Sequence, residues 1–163
     1  MRKTIISGIF ILIMTVSFTT CDGMTGIVAD LPPSSSGELP PFVITRPMFE
    51  IIERPYFFKF AGLVFNFLNT GPKTVEKVTV SFLLFDPKTR DNPFIGSNKF
   101  EIAKWDIVFP GESREIIISL DQFIYIAPKE IYIIDHFFIC EIYYTDGSVW
   151  QDKYGKFGVR GAV

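Results

Sequence analysis

From Phe42 onward, Val, Ile, Phe, Tyr and Thr gather in apolar runs that are broken at intervals by turn-forming residues. No long segment keeps the three-and-four apolar spacing of a helix face, and β-branched and aromatic residues dominate, so the pattern predicts strands. Pro47, Pro55, Pro72, Pro87, Pro93, Pro110 and Pro128 mark the connections between them. Val75–Phe85 alternates most clearly. Val78, Val80, Phe82 and Leu84 are expected to face a core, and Lys77, Thr79 and Ser81 to face out. Around it the pattern predicts an edge strand over 49–52, strands over 57–69, 100–108, 115–120 and 131–144, and a return strand at Val149–Gln151. Asn69-Thr70-Gly71-Pro72 and Pro110-Gly111 are turns, and Asp146-Gly147 is the strongest hairpin signal. About seven short strands with regular turns predict an all-β, two-sheet antiparallel sandwich over 42–163.

The chain before Phe42 follows different rules. Met1-Arg2-Lys3 precedes an uncharged, apolar-rich stretch of fourteen residues, Ile5 to Phe18. A membrane-spanning helix needs about 20 apolar residues, whereas a signal peptide has this length and these basic flanks, so 1–20 is read as one. Phe18-Thr19-Thr20-Cys21 resembles a bacterial lipoprotein box of the looser, spirochaete-like kind, with Phe18 and Thr20 where Leu and a small residue are usual. The resemblance implies that Cys21 becomes the first mature residue and carries lipid on its sulfur and amino group. It further implies an envelope protein whose partner is the membrane itself. Cleavage without lipidation is the alternative.

The two cysteines, Cys21 and Cys140, leave a Cys21–Cys140 disulfide as a rival, since exported domains often pair their thiols. Against it, Cys21 opens a Pro/Ser/Gly-rich stretch over 21–41 that has the composition of a flexible linker. Cys140 in FFICEIYY reads as a small buried hydrophobe.

Charge excludes one class of partner. The chain carries 16 basic and 18 acidic residues, for a net charge of −2. They are interspersed, with no basic stripe to neutralise phosphates, so nucleic-acid binding is not expected. Candidate chemistry is sparse. On an unbroken strand His136, Phe138, Cys140, Ile142 and Tyr144 share one face, opposite Phe137, Ile139 and Tyr143. His136, the single histidine, then stands about 13 Å from Cys140, too far to deprotonate it. Asp86, Thr89, Asp91 and Asn92 gather oxygens in one loop, but without the glycine and terminal glutamate of a calcium loop; Asp86 is expected to accept backbone hydrogen bonds. Glu50 and Glu53 are close in sequence and face opposite sides of a strand, so they do not form a glycosidase pair. No catalytic residue, cofactor or metal site is therefore expected.

Three stretches, in order, resemble one family. Phe82-Leu83-Leu84-Phe85-Asp86 resembles the Phe-x-Leu-Tyr-Asp signature of FxLYD-type domains, with Phe85 in the tyrosine's place. Asn69-Thr70-Gly71 resembles the family's Asn-x-Gly turn, and Phe109-Pro110-Gly111-Glu112-Ser113 its Pro-Gly-Glu turn. The resemblance covers roughly 57–152. It implies an immunoglobulin-like sandwich in a secreted or envelope protein, and it carries no catalytic residues.

The aromatic content is unusual. Of eighteen phenylalanines, Phe10 and Phe18 fall in the leader, and several strands are apolar on both faces. Either the 42–56 segment or the C-terminal KYGKFGVRGAV covers the second face, or an aromatic patch stays exposed for a protein partner or self-association. The expected function is thus a non-catalytic, lipid-anchored binding or structural module. Its alternatives are an accessory subunit of a larger envelope complex and a hydrolase built from dispersed carboxylates.

Overall fold

The structure, a computed structural model, describes residues 39–159. The expected signal peptide over 1–20, Cys21 and nearly all of the 21–41 linker lie outside the described residues. Eight strands form: β1 (Phe42–Ile44), β2 (Met48–Glu50), β3 (Gly62–Asn69), β4 (Val75–Phe85), β5 (Lys99–Val108), β6 (Ser113–Ser119), β7 (Ile133–Tyr144) and β8 (Val149–Gln151). They make two antiparallel sheets of four strands each. In one, β3 is flanked by β6 on one side and by β1 and β2 in tandem on the other; the second runs β5-β4-β7-β8. The inward side chains of both sheets meet in one core that includes Phe65, Phe67, Val80, Phe82, Ile116, Phe137 and Ile139. Among the described residues no helix is long and apolar enough to cross a membrane.

β4 has the residues and the inward face that its alternation predicts: Val78, Val80, Phe82 and Leu84 are at most 1 % exposed. The opposite face departs from expectation. Thr79 and Ser81 point outward yet are only 7 % and 2 % exposed. They are small side chains on a central strand; Glu101 and Phe138 flank Ser81, and Ala103 and the longer Glu141 flank Thr79. β1 was not anticipated. Pro41 and Pro47 bracket it, and it pairs with Phe67, Leu68 and Asn69 of β3.

The strand expected over 57–69 begins only at Gly62. Before it the chain turns back at Tyr56, whose φ of 73° is left-handed, and Arg54 pairs with Phe58. Asp121, sixty residues later, holds this turn by accepting hydrogen bonds from the Lys59 and Phe60 backbone N–H groups at 2.8 and 2.9 Å. Phe58 thereby folds over Val64 and Ile117 and covers part of the outer face of the first sheet.

β7 breaks the alternation expected of it. Against β4, Thr79 faces Glu141 but Val80 faces Ile139, so Cys140 is an extra residue; a second extra residue lies between Phe138 and Asp135. Each bulge moves the inward set by one position. Tyr144 and Ile142 face the core, then Ile139 and Phe137, then Ile134. His136, Phe138 and Cys140 therefore do not share a face with Ile142 and Tyr144.

Asn69 joins the ends of both sheets. Its buried amide donates to the carbonyls of Lys73 (2.8 Å) and Val108 (3.0 Å), and its oxygen accepts from Gly71 N–H. Its backbone pairs with Glu112 and Gly111. The two turns Asn69-Thr70-Gly71 and Pro110-Gly111-Glu112 are thus bonded to each other. Pro40 is buried, and the Pro41 carbonyl accepts from Thr70 and Gly71 N–H. The β7–β8 hairpin closes at Asp146-Gly147, with Gly147 in the left-handed region (φ 81°) and its N–H bonded to the Tyr144 carbonyl.

Candidate functional site

The outer face of the β5-β4-β7-β8 sheet is a candidate recognition surface. Strand register sets them in rows. The first row is Trp105–Lys77–Tyr143–Val149. Lys77 Nζ lies 3.4 Å from the Tyr143 ring centroid and 5.3 Å from that of Trp105, so one ammonium is held against two aromatic rings. Trp105 remains 64 % exposed, with Ile107 and Val149 exposed beside the row. The next row is Ala103–Thr79–Glu141–Gln151, where Gln151 Nε2 donates to Glu141 Oε1 at 2.8 Å.

The third row, Glu101–Ser81–Phe138, meets the C-terminal segment. Asp152 is buried and folds that segment, accepting from Tyr154 and Phe157 N–H. Gly155 packs on Phe138 so closely that a Cβ there would sit 3.0 Å from the ring, and Val159 N–H bonds the Phe137 carbonyl. The tail expected to cover an apolar face therefore covers β7 beside Phe138. The Trp105 end stays open.

The residues singled out for chemistry are dispersed. Cys21 lies outside the described residues. Cys140 is half-buried at its bulge, and its thiol donates to the Thr79 carbonyl at 3.3 Å. Burial first, and the Glu101 carboxylate second, push that thiol up to about 11. His136 is exposed, with Nε2 3.5 Å from Asp135 Oδ2, and its φ of 47° places it in the left-handed region. Asp86 does shape its turn: its Oδ1 accepts from Lys88 and Thr89 N–H at 2.8 and 3.0 Å, and these bonds hold its carboxyl below the usual range. Thr89 and Asn92 likewise bond their own loop. Glu50 is engaged by Arg54, which also reaches Glu115. Among the described residues no three His, Cys, Asp or Glu side chains gather as a metal site.

Sequence reasoning placed no weight on Trp105 or Lys77. Part of the signal was available: Lys77 stood at an outward position of Val75–Phe85, and Trp105 lay in the predicted 100–108 strand, whose faces were not assigned.

No family model matches the chain, and no curated protein matches it. A crystal structure of a hypothetical protein from Peptoclostridium difficile 630 is similar in fold, with a TM-score of 0.51 at 11 % identity, over 77 % of this chain and 95 % of that one. The likeness concerns the sandwich alone.

Proposed function

We propose that this chain is a lipid-anchored bacterial envelope protein whose sandwich serves as a non-catalytic binding or structural module of the immunoglobulin-like, FxLYD-type kind. Support for the anchor is the apolar run that ends at Cys21 where a polar linker starts. Two acyl chains on a diacylglyceryl cysteine meet the two-signal requirement for stable membrane attachment. Support for the binding role is one observation above all: the exposed Trp105 at the open end of the outer face, in a row with Lys77 and Tyr143. Exposed aromatic surface of this kind marks protein contacts more than enzyme sites.

Two measurements in the native cell test the two halves separately. Cys21→Ser is expected to release the protein to the soluble fraction or leave it unprocessed; unchanged mature mass and unchanged membrane partitioning would refute the anchor. Affinity capture of the native protein is expected to recover a protein partner that Trp105→Ala loses. Capture unaffected by Trp105→Ala would remove the Trp105 end of the outer face from the function. A detergent-solubilised mass well above that of one chain and its detergent would favour the accessory-subunit form of the same reading.

A further inference from the structure

The opposite end of the outer face holds a cleft of about 300 Å³, and its lining is chemically one-sided. Lys99, His136 and Lys153 contribute nitrogen bases, Phe138 and Tyr154 contribute aromatic walls, and no carboxylate lines it. In a protein with 18 acidic and 16 basic residues that segregation is unusual. Two other grooves of the described surface each include a carboxylate, Asp152 in one and Glu50 in the other. Neither the Lys99 nor the Lys153 ammonium has an ion-pair partner among the described residues, whereas Lys73 and Lys88 are paired with Asp146 and Glu130.

Three features of the fold build this cleft. The extra residue of β7 opens the strand there, and His136 occupies it in a left-handed conformation that non-glycine residues rarely adopt. Bulges and strained backbone of this sort recur beside binding sites because they re-aim a side chain. The Asp135 carboxylate fixes the turn by accepting the His136 N–H at 2.8 Å. From the other side, Asp152 folds the C-terminal segment so that Lys153 and Tyr154 overhang the cleft, and Gly155 seats that segment on Phe138. The negative groups next to these residues in the fold are Asp135, which is engaged with His136, Glu101, one outward position along β5 from Lys99, and Asp152, which precedes Lys153 and is taken up by the Tyr154 and Phe157 N–H groups.

We infer that this cleft binds a small oxyanion, a carboxylate or a phosphate ester, attached to an apolar body. The oxyanion is met by the Lys99 and Lys153 ammoniums with a His136 ring N–H as a third donor, and the apolar body lies against Phe138 and Tyr154. Charge-assisted hydrogen bonds to an oxyanion are the strong class, and two unpaired ammoniums at one cleft supply them. This inference is independent of lipid attachment at Cys21 and of the Trp105 end of the sheet.

The single histidine provides the readout, because its ring C–H resonance reports on the cleft alone. The full-length protein in detergent is titrated with inorganic phosphate, phenyl phosphate, benzoate, short-chain phosphatidylglycerol below its micelle concentration, and benzyl alcohol as the uncharged control. The aromatic anions are expected to give a saturable shift of the His136 signal at millimolar concentration or below, with inorganic phosphate weaker. Lys99→Gln and Lys153→Gln, both exposed and therefore tolerated by the fold, are each expected to weaken binding on the order of tenfold. A saturable response to phosphatidylglycerol but not to phenyl phosphate assigns the oxyanion to a lipid headgroup; the reverse assigns it to a free small anion. No saturable shift with any anion, an equal response to benzyl alcohol, or binding that survives both lysine replacements would overturn the inference.

Discussion

β4 and β7 lie side by side at the centre of one sheet, both long and both apolar, yet they are built differently. β4 alternates without interruption where it crosses the core, from Val78 to Leu84. β7 changes phase twice along the same partner, and its inward residues are Tyr144 and Ile142, then Ile139 and Phe137, then Ile134. Past the register shift between Val75 and Lys77, β4 fills the core and presents Thr79 and Ser81 outward. The bulged strand fills the core equally well, and it also turns His136 and Cys140 to positions that a regular strand would not give them. A bulge thus separates packing from presentation: the core set is kept while the outward set is rearranged.

The largest test of this contrast removes a residue rather than a side chain. Deleting Thr79 would shift β4 by one position and turn Val80, Phe82 and Leu84 away from the core, whereas deleting Cys140 removes only the extra residue and leaves Ile139 and Phe137 inward. Loss of a cooperative urea transition is expected for the first deletion and its retention for the second. A Cys140 deletion that unfolds the protein would show that Cys140 is not the extra residue.

Side-chain truncation is the next largest. Phe82→Ala and Phe137→Ala are expected to lose about 3–5 kcal/mol each, because both rings are fully buried. Phe138→Ala, one position away, should lose less than half as much, since its ring is only partly buried beneath the tail. Urea titrations that rank Phe138 above Phe137 would put the phase of β7 in error. Thr79→Ala is expected to lose about 1 kcal/mol, more than an exposed threonine on a regular outer face would.

The backbone of the bulge gives a smaller effect. His136→Val places a β-branched residue at a left-handed φ and should destabilise by about 1–2 kcal/mol, while His136→Gly should be close to neutral. Equal stabilities for the two would remove the strain from the account.

Cys140→Ala is the mildest change, expected to lose about 1 kcal/mol, because residue count and not the thiol sets the phase. The thiol gives its own signature. Its folded value, pushed up to about 11, lies above the ordinary thiol value, so the folded state favours the protonated form. That contribution is complete below the unfolded thiol's range and is lost as pH rises from there through about 11. Reaction with a disulfide reagent at pH 8 should accordingly be far slower in the folded protein than in urea. Equal rates would mean that Cys140 is exposed and ionised.

The same two strands show what was legible in the sequence. β4 was readable because its outward positions are polar, so periodicity alone separates its faces. β7 was not, because Phe137, Phe138 and Ile139 are all apolar, and a strand that is apolar on both sides hides a one-residue slip. β1 was missed because Pro41 belongs in composition to the linker, although Phe42-Val43-Ile44 is strand-like. Residues 57–61 were misread as strand because the acceptor that holds their turn, Asp121, lies sixty residues away and no local signal announces it. The loop at Asp86 was readable for the opposite reason: its hydrogen bonds are made within three residues. The Trp105 row was legible only at Lys77, which strand parity placed outward; register was needed to bring Trp105 and Tyr143 beside it.

The entry of the chain into the sandwich has a mechanical consequence. Any tug on the chain before Leu39 loads β1 first, through the Pro41 carbonyl and three pairs with β3. Thr45 holds the end of β1 further, its N–H donating to the Asn66 carbonyl and its hydroxyl accepting the Asn66 N–H, before Pro47 leads into β2. The nine residues from Leu39 to Pro47 would then extend by about 30 Å at full stretch. The sandwich thereby has a built-in yielding element: release of β1 gives a fixed length of slack while Asn69, still bonded to Lys73, Val108 and Glu112, keeps the two sheets joined.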